Sequence, residues 1–138
     1  MSEENKALIN RWFEEVWNQG NSKTIDELLD ENGVVHGLMD ANGQPVTGLK
    51  AFHDFHDQFR GAFPDLHISV DDVVAEGDRV VARCSVRGKH TGESLGFAAT
   101  NAPIQFEGIA IVQIKDGKIV EAWNQFDFLS MNRQLGVL

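Results

Sequence analysis

The sequence predicts an α+β fold, and three observations carry that reading. Apolar residues recur at three- and four-residue steps through the first half of the chain. The second half holds two hairpin turn signals, each between long apolar runs. The composition, 138 residues with 42% hydrophobic and 24% charged, fits a single globular domain over residues 1–138. A chain of that length buries a core without disulfide or metal staples.

The first segment reads as an amphipathic helix. Ser2 can cap it, and Glu3 and Glu4 suit the positive end of its dipole. Leu8, Ile9, Trp12, Phe13, Val16 and Trp17 form one wide apolar stripe, and Gly20 stops it. Ser22 can cap a short second helix that turns Ile25, Leu28 and Leu29 inward and ends at Asn32-Gly33. Val34-Val35-His36 reads as a short strand, and Asp40 to Gly48 as loop. A third helix runs from about Leu49 to Ala62, with Phe52, Phe55, Phe59 and Phe63 on one face and Pro64 ending it. Strands follow at Ile68–Ala75 and Val80–Arg87 around Glu76-Gly77-Asp78-Arg79, then at Gln105–Lys115 and Lys118–Phe128 around Asp116-Gly117. The stretch from Thr91 to Pro103 reads as a long loop, and Leu129 to Leu135 as a short helix. An antiparallel sheet packing one face on the helices is the expected arrangement.

Charge and composition exclude several classes. A formal net charge of -9 without a Lys/Arg cluster disfavours nucleic acid and anionic membranes as partners. No apolar run approaches the length of a membrane span, and the opening residues are unlike a secretory signal. The lone Cys84 excludes a disulfide framework and points to a reducing compartment, the cytoplasm. Nine Phe and three Trp accompany no Tyr, so no mechanism here uses a phenol.

The Asp116-Gly117 turn sets an expected register. If Lys115 opposes Lys118, then Val112 meets Glu121, Ala110 meets Trp123, Gly108 meets Gln125 and Phe106 meets Asp127. One face then carries Phe106, Gly108, Ala110, Val112, Trp123, Gln125 and Asp127, with room above the small Gly108 and Ala110. The other carries Ile109, Ile111, Val120, Ala122 and Phe126, with Glu107, Gln113 and Asn124. Both faces are apolar, so one covers the helices and the other needs a second cover, such as another subunit. A one-residue slip exchanges the two sets. Asp127 among aromatics would lose hydration and serve as a general acid or base. Alternatively it caps the C-terminal helix or pairs with an arginine.

Other candidate residues have competing readings. Gly92-Glu93-Ser94-Leu95-Gly96 matches the G-x-S-x-G elbow, but all five histidines precede Ser94 and the chain is too short for that sheet. His53 and His56 can share a metal with His36 or His67, yet their spacing fits no zinc helix motif and suits a solvated helix face. His36 either points into a cavity or packs against a neighbour. His90 opens the long loop, a common place for functional groups, or sits in water. Arg83 either reaches a pocket carboxylate or lies on the surface or an interface. Cys84 has the parity of the apolar face and reads as an inert core thiol. No phosphate loop, dinucleotide fingerprint, C-x-x-C or H-E-x-x-H occurs, so no cofactor is expected.

Phe63-Pro64-Asp65-Leu66-His67, Ala75-Glu76-Gly77-Asp78-Arg79-Val80, Gly88-Lys89-His90-Thr91-Gly92-Glu93 and Asp116-Gly117-Lys118-Ile119-Val120-Glu121-Ala122-Trp123 with Asp127 together resemble the SnoaL-like polyketide cyclase, or ester cyclase, family. The resemblance spans essentially the whole chain. It implies the nuclear-transport-factor-two-like cone, a curved antiparallel sheet wrapped on helices around a cavity, with homodimers paired through the sheet. It also implies intramolecular aldol closure without metal or cofactor on a small hydrophobic carbonyl compound. Asp127 takes the acid/base position, with His90 and His36 as secondary groups polarising carbonyls. Trp12, Phe59, Phe106, Trp123, Gln125 and Arg83 are the expected substrate contacts. A non-catalytic ligand-binding or dimeric scaffold domain is the alternative on the same fold. Ala99-Thr100-Asn101-Ala102 replaces the Pro-Thr-Gly stretch frequent in the family's long loop, which borders the cavity mouth there. Steroid-isomerase-like, scytalone-dehydratase-like and limonene-epoxide-hydrolase-like relatives rely on tyrosines, so this chain cannot reproduce their sites.

Overall fold

The structure is a computed structural model and describes residues 2–40 and 42–137. Four helices and six strands alternate as α1 (Ser2–Arg11) with a π-helical continuation (Trp12–Asn18), α2 (Ser22–Leu28), β1 (Leu29–Met39), β2 (Pro45–Thr47), α3 (Gly48–Ala62), β3 (His67–Glu76), β4 (Arg79–Lys89), β5 (Pro103–Lys115), β6 (Lys118–Phe126) and α4 (Phe128–Leu135). The strands form one sheet in the order β2-β1-β6-β5-β4-β3. Every pairing is antiparallel except β1 with β6, which is parallel, so the sheet is mixed rather than purely antiparallel. Four of the five ladders contain a register shift, and each such irregularity bends its strand. The helices pack on the resulting inner face.

The expected elements are present with four corrections. The second helix ends at Leu28, and Leu29–Met39 continues as a single strand where a three-residue one is expected. Asn21 rather than Ser22 caps α2, its side chain accepting from Lys23 N at 3.1 Å. The loop before α3 contains β2, folded back on β1 by a turn in which Asp40 Oδ1 accepts from Asn42 N and Gln44 N. Ser2, the expected cap, is itself the first helical residue.

The first helix is anchored through its C-terminal end. Helix ends leave carbonyls without intrahelical partners. Here α3 supplies donors one turn apart: His56 Nε2 donates to Val16 O at 2.6 Å, and Arg60 Nη1 to Trp17 O at 2.7 Å. Phe52, one turn earlier, packs against Trp12 and Trp17 at ring-centroid distances of 5.2 and 5.9 Å. Such aromatic pairs are each worth about 0.5–1.5 kcal/mol beyond their burial. His56 is therefore not on a solvated face as expected; it is 3% exposed. His53, three residues earlier, bonds Asp26 Oδ1 at 2.7 Å, and no cluster of metal-ligating groups occurs among the described residues.

The β5–β6 hairpin departs from the expected register in an instructive way. Asp116 (φ 52°) and Gly117 (φ 74°) make the turn, and Lys115 opposes Lys118 as anticipated. After Ile114↔Ile119 the next pair is Gln113↔Glu121, so Val120 is an extra residue on β6. Beyond it Val112 opposes Ala122, Ala110 opposes Asn124 and Gly108 opposes Phe126. The inner face thus carries Phe106, Gly108, Ala110 and Val112 with Ala122, Asn124 and Phe126. Trp123 and Gln125 move to the outer face beside Ile109 and Ile111.

Acidification tests the His56 contact. Donation from Nε2 leaves Nδ1 as a bare, buried lone pair with no partner, and burial pushes the imidazole below its ordinary pKa. A basic group with a lowered folded pKa contributes stability that is complete above its unfolded value near 6.5 and is lost as pH falls below it. Urea unfolding between pH 7.5 and 5.5 should show stability falling by at most about 1.4 kcal/mol per pH unit from this group. His56→Gln, which retains an N–H donor, should flatten that slope.

Candidate functional site

An apolar cavity of about 60 Å³ lies between the first helix, α3 and the inner sheet face. Trp12, Phe13 and Trp17 form one wall, and Phe52, Phe55 and Phe59 a second. The floor exists because Ala110 and Ala122 are small on adjacent strands and rigid rings above them cannot fill the corner. Gly108 adds no room, contrary to expectation: a Cβ there would stand 2.3 Å from the Phe126 ring, which already occupies the space. Four lining residues, Phe55, Asn124, Phe126 and Phe128, are only half-buried, which marks the end where the cavity meets solvent.

Asn124 is the one amide or ionisable side chain among the lining residues. Its Nδ2 donates to His36 O at 3.0 Å across the parallel β1–β6 pair. That contact needs β1 and β6 to approach closely, and Gly37 permits it. A Cβ on Gly37 would stand 2.0 Å from the Asn124 carbonyl oxygen, and its φ of 86° already disfavours a side chain.

The expected site residues are only partly brought together. Trp12, Phe59 and Phe106 line the cavity without filling it. Trp123 and Gln125 lie on the outer face, because the extra Val120 reverses the parity of the outer half of β6. There Trp123 stacks on His36 at 5.7 Å and carries the Arg79 guanidinium 5.1 Å from its ring centroid. His36 Nε2 donates to Glu121 Oε2 at 2.7 Å, so this histidine packs against outer-face neighbours and is absent from the cavity lining. Arg83 is exposed on the outer face, 3.9 Å from Asp71.

His90 is 0% exposed but is also absent from the lining. Thr100 N–H donates to its Nδ1 at 3.1 Å, and its ring packs between Phe63 and Phe97. It pins residues 91–102, which cover the C-terminal end of α3: Thr91 N and Gly92 N both donate to Ala62 O. The long loop therefore contributes nothing to the cavity lining. Cys84 is buried on the inner face, and burial pushes its thiol up to about 12, consistent with an inert core position.

Asp127 follows β6 and is exposed. Its Oδ1 accepts from Ser130 N at 3.0 Å, the helix-cap arrangement that is one of its two expected roles. It nevertheless sits at the cavity rim, because Phe126 and Phe128 on either side both line the cavity. The outward turn of its side chain follows from the same parity change that brings Phe126 in.

The architecture is that of a small helix-on-sheet container with an apolar interior and its one ionisable candidate at the mouth. The family model for SnoaL-like polyketide cyclases matches residues 7–135, and the chain belongs to that family. An aklanonic acid methyl ester cyclase of Streptomyces peucetius is 28% identical over 130 residues, covering 94% of this chain and 88% of the relative. The structure of IdmH from Streptomyces antibioticus, provisionally assigned as a polyketide cyclase, superposes with a TM-score of 0.82 at 31% identity, covering 96% and 99% of the two chains. A SnoaL-like protein from Jannaschia sp. CCS1 shares the fold, with a TM-score of 0.87 at 22% identity over 99% and 94% of the chains.

The Gly37 contact predicts a specific weakness. Gly37→Ala should lower stability by at least about 2 kcal/mol, read from thermal or urea unfolding, because both the contact and the backbone angle oppose a methyl group. Ala at Gly43, where a Cβ meets nothing within 4 Å, should cost less despite a similar φ of 76°.

Proposed function

We propose that this chain closes a ring by intramolecular aldol chemistry on a hydrophobic β-dicarbonyl compound, with Asp127 as the acid/base group. The supporting observation is the Phe126-Asp127-Phe128 sequence at the cavity mouth, where the residue bearing the carboxylate is flanked in the chain by two lining phenylalanines. Membership in a polyketide cyclase family and the likeness to aklanonic acid methyl ester cyclases support the reaction class.

In this reading the apolar part of the substrate enters between the aromatic walls, and its acidic carbon stays at the rim. Asp127 takes the proton from the carbon between two carbonyls, leaving an enolate. The enolate carbon attacks a second carbonyl of the same molecule, forming the carbon–carbon bond. The protonated Asp127 then returns its proton to the new alkoxide, so no atom is gained or lost. The bound substrate itself displaces water from the carboxylate. Holding both reacting carbons within one aromatic slot provides the proximity contribution. The slot has a narrow free volume, so entry involves side-chain movement at the half-buried rim rings. The outer face, where Val74 and Ile109 are exposed, is the surface for pairing with a second copy.

Asp127→Asn tests the assignment cleanly, because Asn is an equally good helix cap and preserves the bond to Ser130 N. Ring closure of aryl β-keto esters, beginning with aklanonic acid methyl ester, should fall at least about 100-fold while the unfolding midpoint stays within a degree or two. Unchanged turnover removes Asp127 from the mechanism. For the pairing, sedimentation should give twice the 15.3 kDa chain mass, and Ile109→Lys should return it to the single-chain value.

A further inference from the structure

The hydrogen-bonding inventory of the cavity is short enough to constrain its ligand. Among the lining residues only three side chains carry polar hydrogen-bonding groups: Trp12, Trp17 and Asn124. Indole offers a donor and no acceptor. An amide offers both, but the two ends of Asn124 are not equivalent here. The partner at 3.0 Å is a backbone carbonyl oxygen, which accepts only, so the amide nitrogen must face it. Nδ2 is thus engaged with His36 O, and Oδ1 has no hydrogen-bond partner among the described residues. Asn124 is half-buried at the rim, so Oδ1 is not sealed away as an orphan.

We infer that Asn124 Oδ1 is the recognition point for a hydroxyl hydrogen on an aromatic ligand, a phenol or an enol. It is the only side-chain acceptor the cavity wall offers. A ligand hydroxyl placed anywhere else against this wall keeps its hydrogen unpaired in apolar surroundings, which is unfavourable. A carbonyl oxygen gains nothing from Oδ1 and turns instead to a donor, an indole N–H or the second N–H of Nδ2. Recognition by Oδ1 therefore fixes where the hydroxyl end of an enolised β-dicarbonyl sits. The orientation of Asn124 is fixed from behind: Gly37 lets β1 close on β6, and the His36–Glu121 bond and Trp123 stacking hold that strand pair from the outer face. Naming the hydroxyl as that of an enol substrate rests on the acid/base reading above; the preference for a hydroxyl donor does not.

The test uses para-cresol and para-fluorotoluene, near-isosteres that differ in the hydroxyl hydrogen. Binding to the wild-type chain is followed by NMR titration of the Trp12 and Trp17 indole signals. In a wall without an acceptor, para-fluorotoluene binds about tenfold more tightly, because the phenol hydrogen leaves water unpaired. Wild type is expected to bind para-cresol at least as tightly as para-fluorotoluene. Asn124→Leu should shift the ratio about tenfold toward para-fluorotoluene. A wild-type preference for para-fluorotoluene, no binding of either probe, or an unchanged ratio in the variant overturns the inference. Should Asn124→Leu not fold, the wild-type comparison decides alone. Asp127→Asn should leave the ratio unchanged, so loss of turnover in that variant and loss of the cresol preference are separate outcomes.

Discussion

Val120 is one residue too many for the β5–β6 ladder, and the cavity depends on it. An extra residue in one strand shifts every later side chain to the opposite face. Before the bulge Ile114 opposes Ile119; after it Ala122, Asn124 and Phe126 face the helices. Were Val120 paired regularly with Gln113 instead of bulged, the floor of the cavity would present Glu121, Trp123 and Gln125 to the aromatic walls. An indole and two polar side chains would replace a small methyl group, the single amide and a phenyl ring. Both the space and its polarity follow from that one local irregularity.

The aromatic walls depend on a different device. A π-helical end exposes carbonyls that an α-helix of the same length would satisfy differently, and α3 answers with His56 and Arg60 at i and i+4. Those two bonds set the distance and rotation of the first helix against α3. Trp12, Trp17, Phe52 and Phe59 then meet as a continuous aromatic surface rather than as separate contacts. The cost is a buried imidazole nitrogen with no partner. His90 uses the same principle for a different purpose, holding a long loop on the end of α3 and away from the cavity.

Much of this was legible in the residues themselves, and the failures share one cause. Helical spacing located the first helix and α3, and Asp116-Gly117 located the last hairpin, because both signals are local. The set Ala122, Asn124 and Phe126 was recognisable as one face of β6, since alternation is also local. What could not be read was which face of β5 it joins, because a bulge leaves no dedicated residue signature. Polar Gln105 and Glu107 on the Ile109 side were the available hint that this side faces outward. For that reason alternation alone does not single out Asn124 and puts Trp123 and Gln125 inside. The parallel β1–β6 pair was invisible too, since it joins residues more than 80 positions apart without any turn between them.

The sequence by itself therefore determined the first helix, α3, the two hairpins, the family resemblance and the absence of a phenol anywhere in the chain. These depend on composition and on spacing within a few residues. Only the tertiary structure decided which side chains share the cavity: Asn124 inside, Trp123 and His36 outside, Asp127 on the rim. That decision rests on long-range register, where a single unpaired residue outweighs every alternating pattern beyond it.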